Sequence, residues 1–158
     1  MQTGTFQIIP AVSAEQVARV RELFRAYAGE MGLSFYFQGF EEELATLPGR
    51  YEPPTGRLLL AQMTTDIAGC VALRKLADGV CEMKRLYVRP AFRGREIGRA
   101  LAEAVITEAR QMGFRRMRLD TLGTMKVALT LYESLGFRRI AAYYDNPLPD
   151  VVYLELQL

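Results

Sequence analysis

The sequence predicts an α/β fold, a mixed sheet with helices on both faces, and three observations carry that reading. Apolar runs at residues 58–63, 67–76 and 80–88 follow one another with short polar breaks, the pattern of an antiparallel meander. Beyond them strand and helix patterns alternate, which calls for a crossover connection and a mixed sheet. The chain has 158 residues, 50% of them apolar and 24% charged, a size suited to one domain spanning 1–158 with a substantial core.

The elements follow in order. Residues 6–9 read as a short first strand. Ser13 followed by Gln16 forms a capping box that opens a helix, and Val17, Val20, Phe24, Tyr27, Ala28 and Met31 recur at helical spacing until Gly32 stops it. A second short helix fits residues 40–47, followed by a connection rich in turn formers: Pro48, Gly49, Pro53, Pro54 and Gly56. The meander comes next. Asp78-Gly79 favours a two-residue hairpin turn that pairs Ala77 with Val80; counting back, Cys70 meets Tyr87 and Cys81 faces Leu76. The thiols are not partners in that register, so both are expected to be buried and reduced. A helix then runs to about Met112 with Ile97, Leu101, Ala104, Val105 and Met112 inward and Gly113 as its left-handed cap. Residues 117–121 form a strand, 125–135 a helix closed by Gly136, 138–142 a strand, and 151–156 a last strand after the Asn146-Pro147-Leu148-Pro149 turn.

Composition excludes several functions. There is no histidine, which removes the commonest zinc ligand and general base, and with them a Ser-His-Asp or Cys-His hydrolase. The two cysteines lack metal-ligand spacing, so no metal is expected. A net charge of +2 is too small for a nucleic-acid-binding surface, and no apolar run approaches the roughly 20 residues of a membrane span. The start, Met1 to Ile9, lacks a basic segment followed by an apolar one, so the expected location is cytoplasmic.

The most informative segment is strand, basic loop, then a helix start bearing glycine. Unpaired amides at a helix N-terminus hold phosphates, and Gly94 and Gly98 allow close approach of the backbone to a diphosphate. Arg85, Arg89, Arg93, Arg95 and Arg99 surround it. The loop alone leaves a second reading open, in which Gly98 serves helix packing and the arginines form a solvated face. Neither the Gly-Lys-Ser/Thr of a P-loop nor a G-x-G-x-x-G fingerprint is present.

The run Arg93-Gly94-Arg95-Glu96-Ile97-Gly98-Arg99-Ala100-Leu101 resembles the acyl-CoA pyrophosphate loop of the GNAT superfamily of N-acetyltransferases, whose pattern is Gln/Arg-x-x-Gly-x-Gly/Ala. It follows Leu86-Tyr87-Val88-Arg89-Pro90, and Ala128-x-x-Leu131-Tyr132-Glu133-Ser134-Leu135-Gly136-Phe137 resembles that family's second signature. The elements match in order from Phe6 to Leu156. Two departures stand out: Glu96 replaces a glycine of the pattern, and Met125 replaces a cofactor-binding asparagine of many members.

The resemblance implies a mostly antiparallel sheet with a parallel central strand pair, and direct transfer of an acetyl group from acetyl-CoA to an amine through a tetrahedral intermediate. It assigns cofactor binding to Leu86, Tyr87, Val88, Arg93, Gly94, Arg95, Glu96, Ile97, Gly98 and Arg99. For the loop to work, the Glu96 carboxylate has to point outward. A local bulge in the strand before the loop can aim an amide at the thioester oxygen. An amine of pKa near 10.4 is only about 0.1% neutral at pH 7, so a base has work to do. The family's base positions fall on Glu82, favoured because a charge inside an apolar strand needs an explanation, and on Asp120. Tyr132 matches the tyrosine that protonates the departing thiolate. The acceptor is a small-molecule or peptide amine, and residues 35–43, with Phe35, Tyr36, Phe37 and Phe40 among Glu41, Glu42 and Glu43, suit a cation or form an amphipathic helix. A homodimer is left open. The alternative function is a noncatalytic acyl-CoA-binding sensor or interaction module.

Overall fold

The computed structural model describes residues 5–32 and 39–158. The elements are β1 (Gln7–Pro10), α1 (Ala14–Met31), α2 (Phe40–Thr46), β2 (Arg57–Gln62), β3 (Ile67–Ala77), β4 (Val80–Val88), α3 (Ile97–Gln111), β5 (Arg116–Leu122), α4 (Lys126–Ser134), β6 (Arg138–Ile140) and β7 (Val151–Gln157). Among the described residues they build a seven-stranded sheet in the order β1-β2-β3-β4-β5-β7-β6, antiparallel throughout except for β4 beside β5.

Local chemistry sets the boundaries. Ser13 Oγ accepts from the Gln16 amide at 3.1 Å, and Gln16 Oε1 accepts from the Ser13 amide at 3.0 Å, the reciprocal box that starts α1. Gly32 ends it at φ 62, where the left-handed turn suits glycine. Strands β2 and β3 are apolar on both sides because both faces are covered. Leu58, Leu60, Cys70 and Ala72 share a core cluster with residues of α1 and α2, while Leu59, Ala61, Val71 and Leu73 share one with residues of α3 and α4. That double coverage explains why these strands read as continuous apolar runs.

The meander register contains a correction. Ala77 pairs with Val80 and Cys70 with Tyr87, as the turn predicts, but Cys81 pairs with Lys75 and not with Leu76. One extra residue in β3 between Lys75 and Ala77 shifts the ladder, and one in β4 between Lys84 and Tyr87 shifts it back. The second bulge contains Arg85 in left-handed backbone at φ 59. Cys70 and Cys81 are both buried free thiols, and desolvation pushes Cys81 up to about 12. The strand expected at 138–142 stops at Ile140. There the chain leaves the sheet edge, and Tyr143 and Tyr144 turn back to donate to carboxylates on β4 and β5.

The feature that positions the site is the brevity of the parallel pairing. It runs through Val80↔Arg116, Cys81↔Met117 and Glu82↔Arg118 and then ends, although β4 continues to Val88 and β5 to Leu122. Past Glu82 the two strands separate and leave a cleft in the middle of the sheet.

Candidate active site

A cavity of about 860 Å³ occupies that cleft. Its walls are β4 from Met83 to Val88, β5 from Leu119 to Leu122, the start of α3, and the inner side of α4 to Tyr132. A second cavity of about 360 Å³ lies beside it, lined by Glu43, Tyr51, Arg74, Glu82 and Tyr144. Lys84 and Arg85 line both. Volumes of this size hold small-molecule ligands.

One end of the larger cavity is built from backbone. The amides of Ile97, Gly98 and Arg99 open α3 and have no acceptor one turn back; Ala100 is the first to bond, to the Glu96 carbonyl at 3.0 Å. The helix dipole adds positive potential at the same point. Gly94, at φ 81, supplies the sharp turn before them. A Cβ on Gly98 would meet only Val88 Cγ2 at 3.7 Å and Leu131 Cδ2 at 4.0 Å, ordinary contacts. Helix packing therefore does not require glycine here, which leaves room for a ligand as its use. Glu96 sits at φ 63, a conformation that suits glycine, with its carboxylate 81% exposed and 3.5 Å from Arg99 Nε. Most of its surface is in water, beside Arg99 at the rim of the cavity.

Side chains brace this end. Arg93 donates through Nε to the Val88 carbonyl at 3.0 Å, lies over the Tyr87 ring at 5.7 Å, and pairs with Glu30 of α1. Arg99 donates to Ser134 Oγ at 2.7 Å, joining α3 to α4. Of the ten residues expected at a cofactor, all but Arg95 line the cavity; Arg95 stacks over Phe92 at 5.6 Å.

Known proteins share this architecture. The pattern defining the acetyltransferase (GNAT) family matches residues 18–137. The chain belongs to that family. An uncharacterised N-acetyltransferase of Schizosaccharomyces pombe is 42% identical over 138 residues, covering 86% of this chain and 85% of its own. An acetyltransferase from Streptococcus agalactiae shares the fold with a TM-score of 0.81 at 22% identity, over 99% of this chain and 100% of its own. The Salmonella typhimurium protein yncA, determined with its cofactor acetyl-CoA, has a TM-score of 0.73 at 20% identity, over 96% and 93% of the two chains.

In this GNAT chain the residues expected to move protons fall in different places. Glu82 is fully buried and lines the smaller cavity; Arg74, its registered partner on β3, donates to Oε1 at 2.7 Å, and the Tyr143 hydroxyl donates to Oε2 at 2.6 Å. Asp120 lines the larger cavity. Its Oδ2 accepts from Tyr144 at 2.6 Å and from Asn146 Nδ2 at 3.1 Å. Among the described residues its Oδ1 has no protein donor. Tyr132 packs edge-on against Phe137, centroids 5.7 Å apart, and lines the larger cavity; its hydroxyl has no protein partner among the described residues. Desolvation pushes that phenol well above its ordinary range, with smaller contributions from Tyr27 and Asp120, so it stays protonated.

The sequence did not point to Tyr143, Tyr144 or Asn146 as site residues. Paired tyrosines just before a turn were the available signal. Of the proposed acceptor stretch, Phe35, Tyr36, Phe37 and Gln38 lie outside the described residues. Glu43, within α2, is tied to Arg85 through two hydrogen bonds.

Proposed function

We propose that this chain transfers an acetyl group from acetyl-CoA directly to an amine. The single observation that carries the proposal is the cleft between β4 and β5, with unpaired amides of residues 97–99 at one end and Asp120 with Tyr132 further in. The amides, with Gly94 and Gly98, would hold the diphosphate. The unpaired edge of Leu86, Tyr87 and Val88 would bond the pantetheine amides. A bulge such as the one containing Arg85 can aim an amide of β4 at the thioester oxygen, where such a donor would contribute about 3 kcal/mol of transition-state stabilisation.

In the chemical step the amine nitrogen bonds to the acetyl carbon and the carbon–sulfur bond breaks. The nitrogen gives its proton to Asp120, directly or through water, and Tyr132 donates to the sulfur as it leaves. A phenol with a raised pKa is a weak acid, so its donation accompanies sulfur departure, when the sulfur has become basic. Geometry favours Asp120 over Glu82 as the base. Asp120 lines the same cavity as Tyr132 and, among the described residues, keeps one oxygen without a protein donor, whereas both Glu82 oxygens are engaged.

The test is calorimetric titration with acetyl-CoA and CoA, followed by thiol release across a panel of amines. Binding accompanied by amine-dependent thiol release supports transfer. Binding with no release across the panel would make this a noncatalytic acyl-CoA-binding module, and no binding would remove the cofactor from the reading.

A further inference from the structure

The charges at the junction of the two cavities narrow the choice of acceptor. Of the two cations lining both, Arg85 is neutralised by Glu43 at 3.0 Å. Arg74, in the smaller cavity, is neutralised by Glu82 at 2.7 Å. Lys84 differs. It is half-buried, and no carboxylate lies within ion-pair distance of it among the described residues. Glu82 and Asp120 act on it only through space, and both are already engaged by other donors. Burial pushes its ammonium below the ordinary lysine range. A desolvated cation without a counter-ion is costly unless an anion completes the site.

Asp120 has the complementary deficit. One oxygen takes both hydrogen bonds, from Tyr144 and Asn146, and the other has no protein donor among the described residues. The two residues are also placed together by register. Glu82 pairs with Arg118, so Lys84 and Asp120 each stand two residues further along their strands, on one sheet face, where β4 and β5 have separated. A cation lacking an anion and a carboxylate oxygen lacking a donor thus face one cleft.

The geometry points to an acceptor that carries both groups, a free amino acid, with its carboxylate on Lys84 and its amine at Oδ1 of Asp120. This inference rests on the acetyl-transfer reading and goes further by naming the acceptor class. A protein N-terminus, whose α-carboxyl is locked in a peptide bond, would leave Lys84 unpaired.

The experiment is thiol release from acetyl-CoA with each standard amino acid against its own α-carboxamide, alongside simple carboxyl-free amines. At least one amino acid is expected to exceed its carboxamide by about tenfold or more in kcat/KM, chiefly through KM. Lys84→Met should bring that ratio close to one, and Lys84→Arg should restore most of it. The wild-type comparison stands even if a variant folds poorly, which its melting temperature shows. Carboxamides as good as the acids, release with carboxyl-free amines only, or a preference that survives Lys84→Met would each overturn the inference while acetyl transfer stands. Absence of amine-dependent release across the whole panel would remove the acetyl-transfer reading, and this inference with it.

Discussion

Arg85 and Glu43 tie the bulge of β4 to α2: Arg85 Nε and Nη2 donate to Oε2 and Oε1 of Glu43 at 3.0 and 3.2 Å. The arginine holds φ 59 and stacks over Phe40 at 5.3 Å. A bulky residue in left-handed backbone is strained, and the ion pair to α2 helps hold it there. Glu43→Ala removes the carboxylate paired with a buried guanidinium and should cost about 3 kcal/mol, at the lower end for a buried pair because Glu43 is partly exposed. Urea unfolding checks the stability. Because the bulge shapes the β4 edge, kcat should fall as well, and full activity in a destabilised Glu43→Ala would show that the bulge does not need this anchor.

Glu96 offers the opposite experiment. It occupies left-handed backbone with no side-chain cap to α3, and its carboxylate is mostly in water. Glu96→Gly relieves a strain of about 1–2 kcal/mol and adds chain entropy to the unfolded state, for a net gain of about 0.5–1 kcal/mol. The urea midpoint should rise at constant slope, and acetyl-CoA should bind at least as tightly because a negative charge near the phosphates is gone. A lower midpoint would mean that the Glu96–Arg99 contact contributes more than its exposure suggests.

Gly98 separates packing from ligand binding. A methyl group fits the space, so Gly98→Ala should fold with equal or higher stability, helped by better helix propensity. The rise in melting temperature produced by acetyl-CoA should nevertheless shrink, and Gly98→Asp should abolish it. An undiminished cofactor-induced shift in both variants would place the diphosphate elsewhere.

How much of this was legible depends on how local the cause is. The Ser13–Gln16 box and the Asp78-Gly79 turn act over a few residues, and both are present. The Cys70↔Tyr87 pairing follows from the turn only because two bulges of opposite sign cancel; Cys81, between them, is displaced by one residue. Only the family resemblance suggests a bulge in this strand; nothing local to Arg85 marks its position, since the segment lacks glycine and its partner, Glu43, is 42 residues away. A charge at Glu82 is visible in the sequence, but its use depends on Arg74 across the sheet and on Tyr143, which arrives 61 residues later.

The carboxylates should divide the effects of mutation. Asp120→Asn is expected to lower kcat by about 10² while leaving the melting temperature nearly unchanged, because the amide still accepts from Tyr144. Glu82→Gln should act mainly on stability, by about 2 kcal/mol, since Arg74 loses its counter-charge in a partly buried setting. Measuring kcat and melting temperature for both separates the roles. A large kcat loss confined to Glu82→Gln would transfer the base to the smaller cavity, with Tyr143 as its relay.

Tyr132 tests proton delivery to the sulfur. Its ring packs on Phe137 within the core cluster of α3 and α4, so Tyr132→Phe keeps the volume and should leave the melting temperature within a degree or so. Only the hydroxyl is lost, and that hydroxyl has no protein partner to strand among the described residues. If it donates to the departing thiolate, the rate should fall by about 10²–10³ with acetyl-CoA. The loss should be smaller with an acetyl thioester whose thiol is more acidic, because a better leaving group needs less proton help. A purely structural tyrosine gives no such dependence on the leaving group. Rates at saturating cofactor for both thioesters, taken together with the melting temperature, decide it: equal losses with the two thioesters, or none, would make Tyr132 a packing residue and leave water to protonate the thiolate.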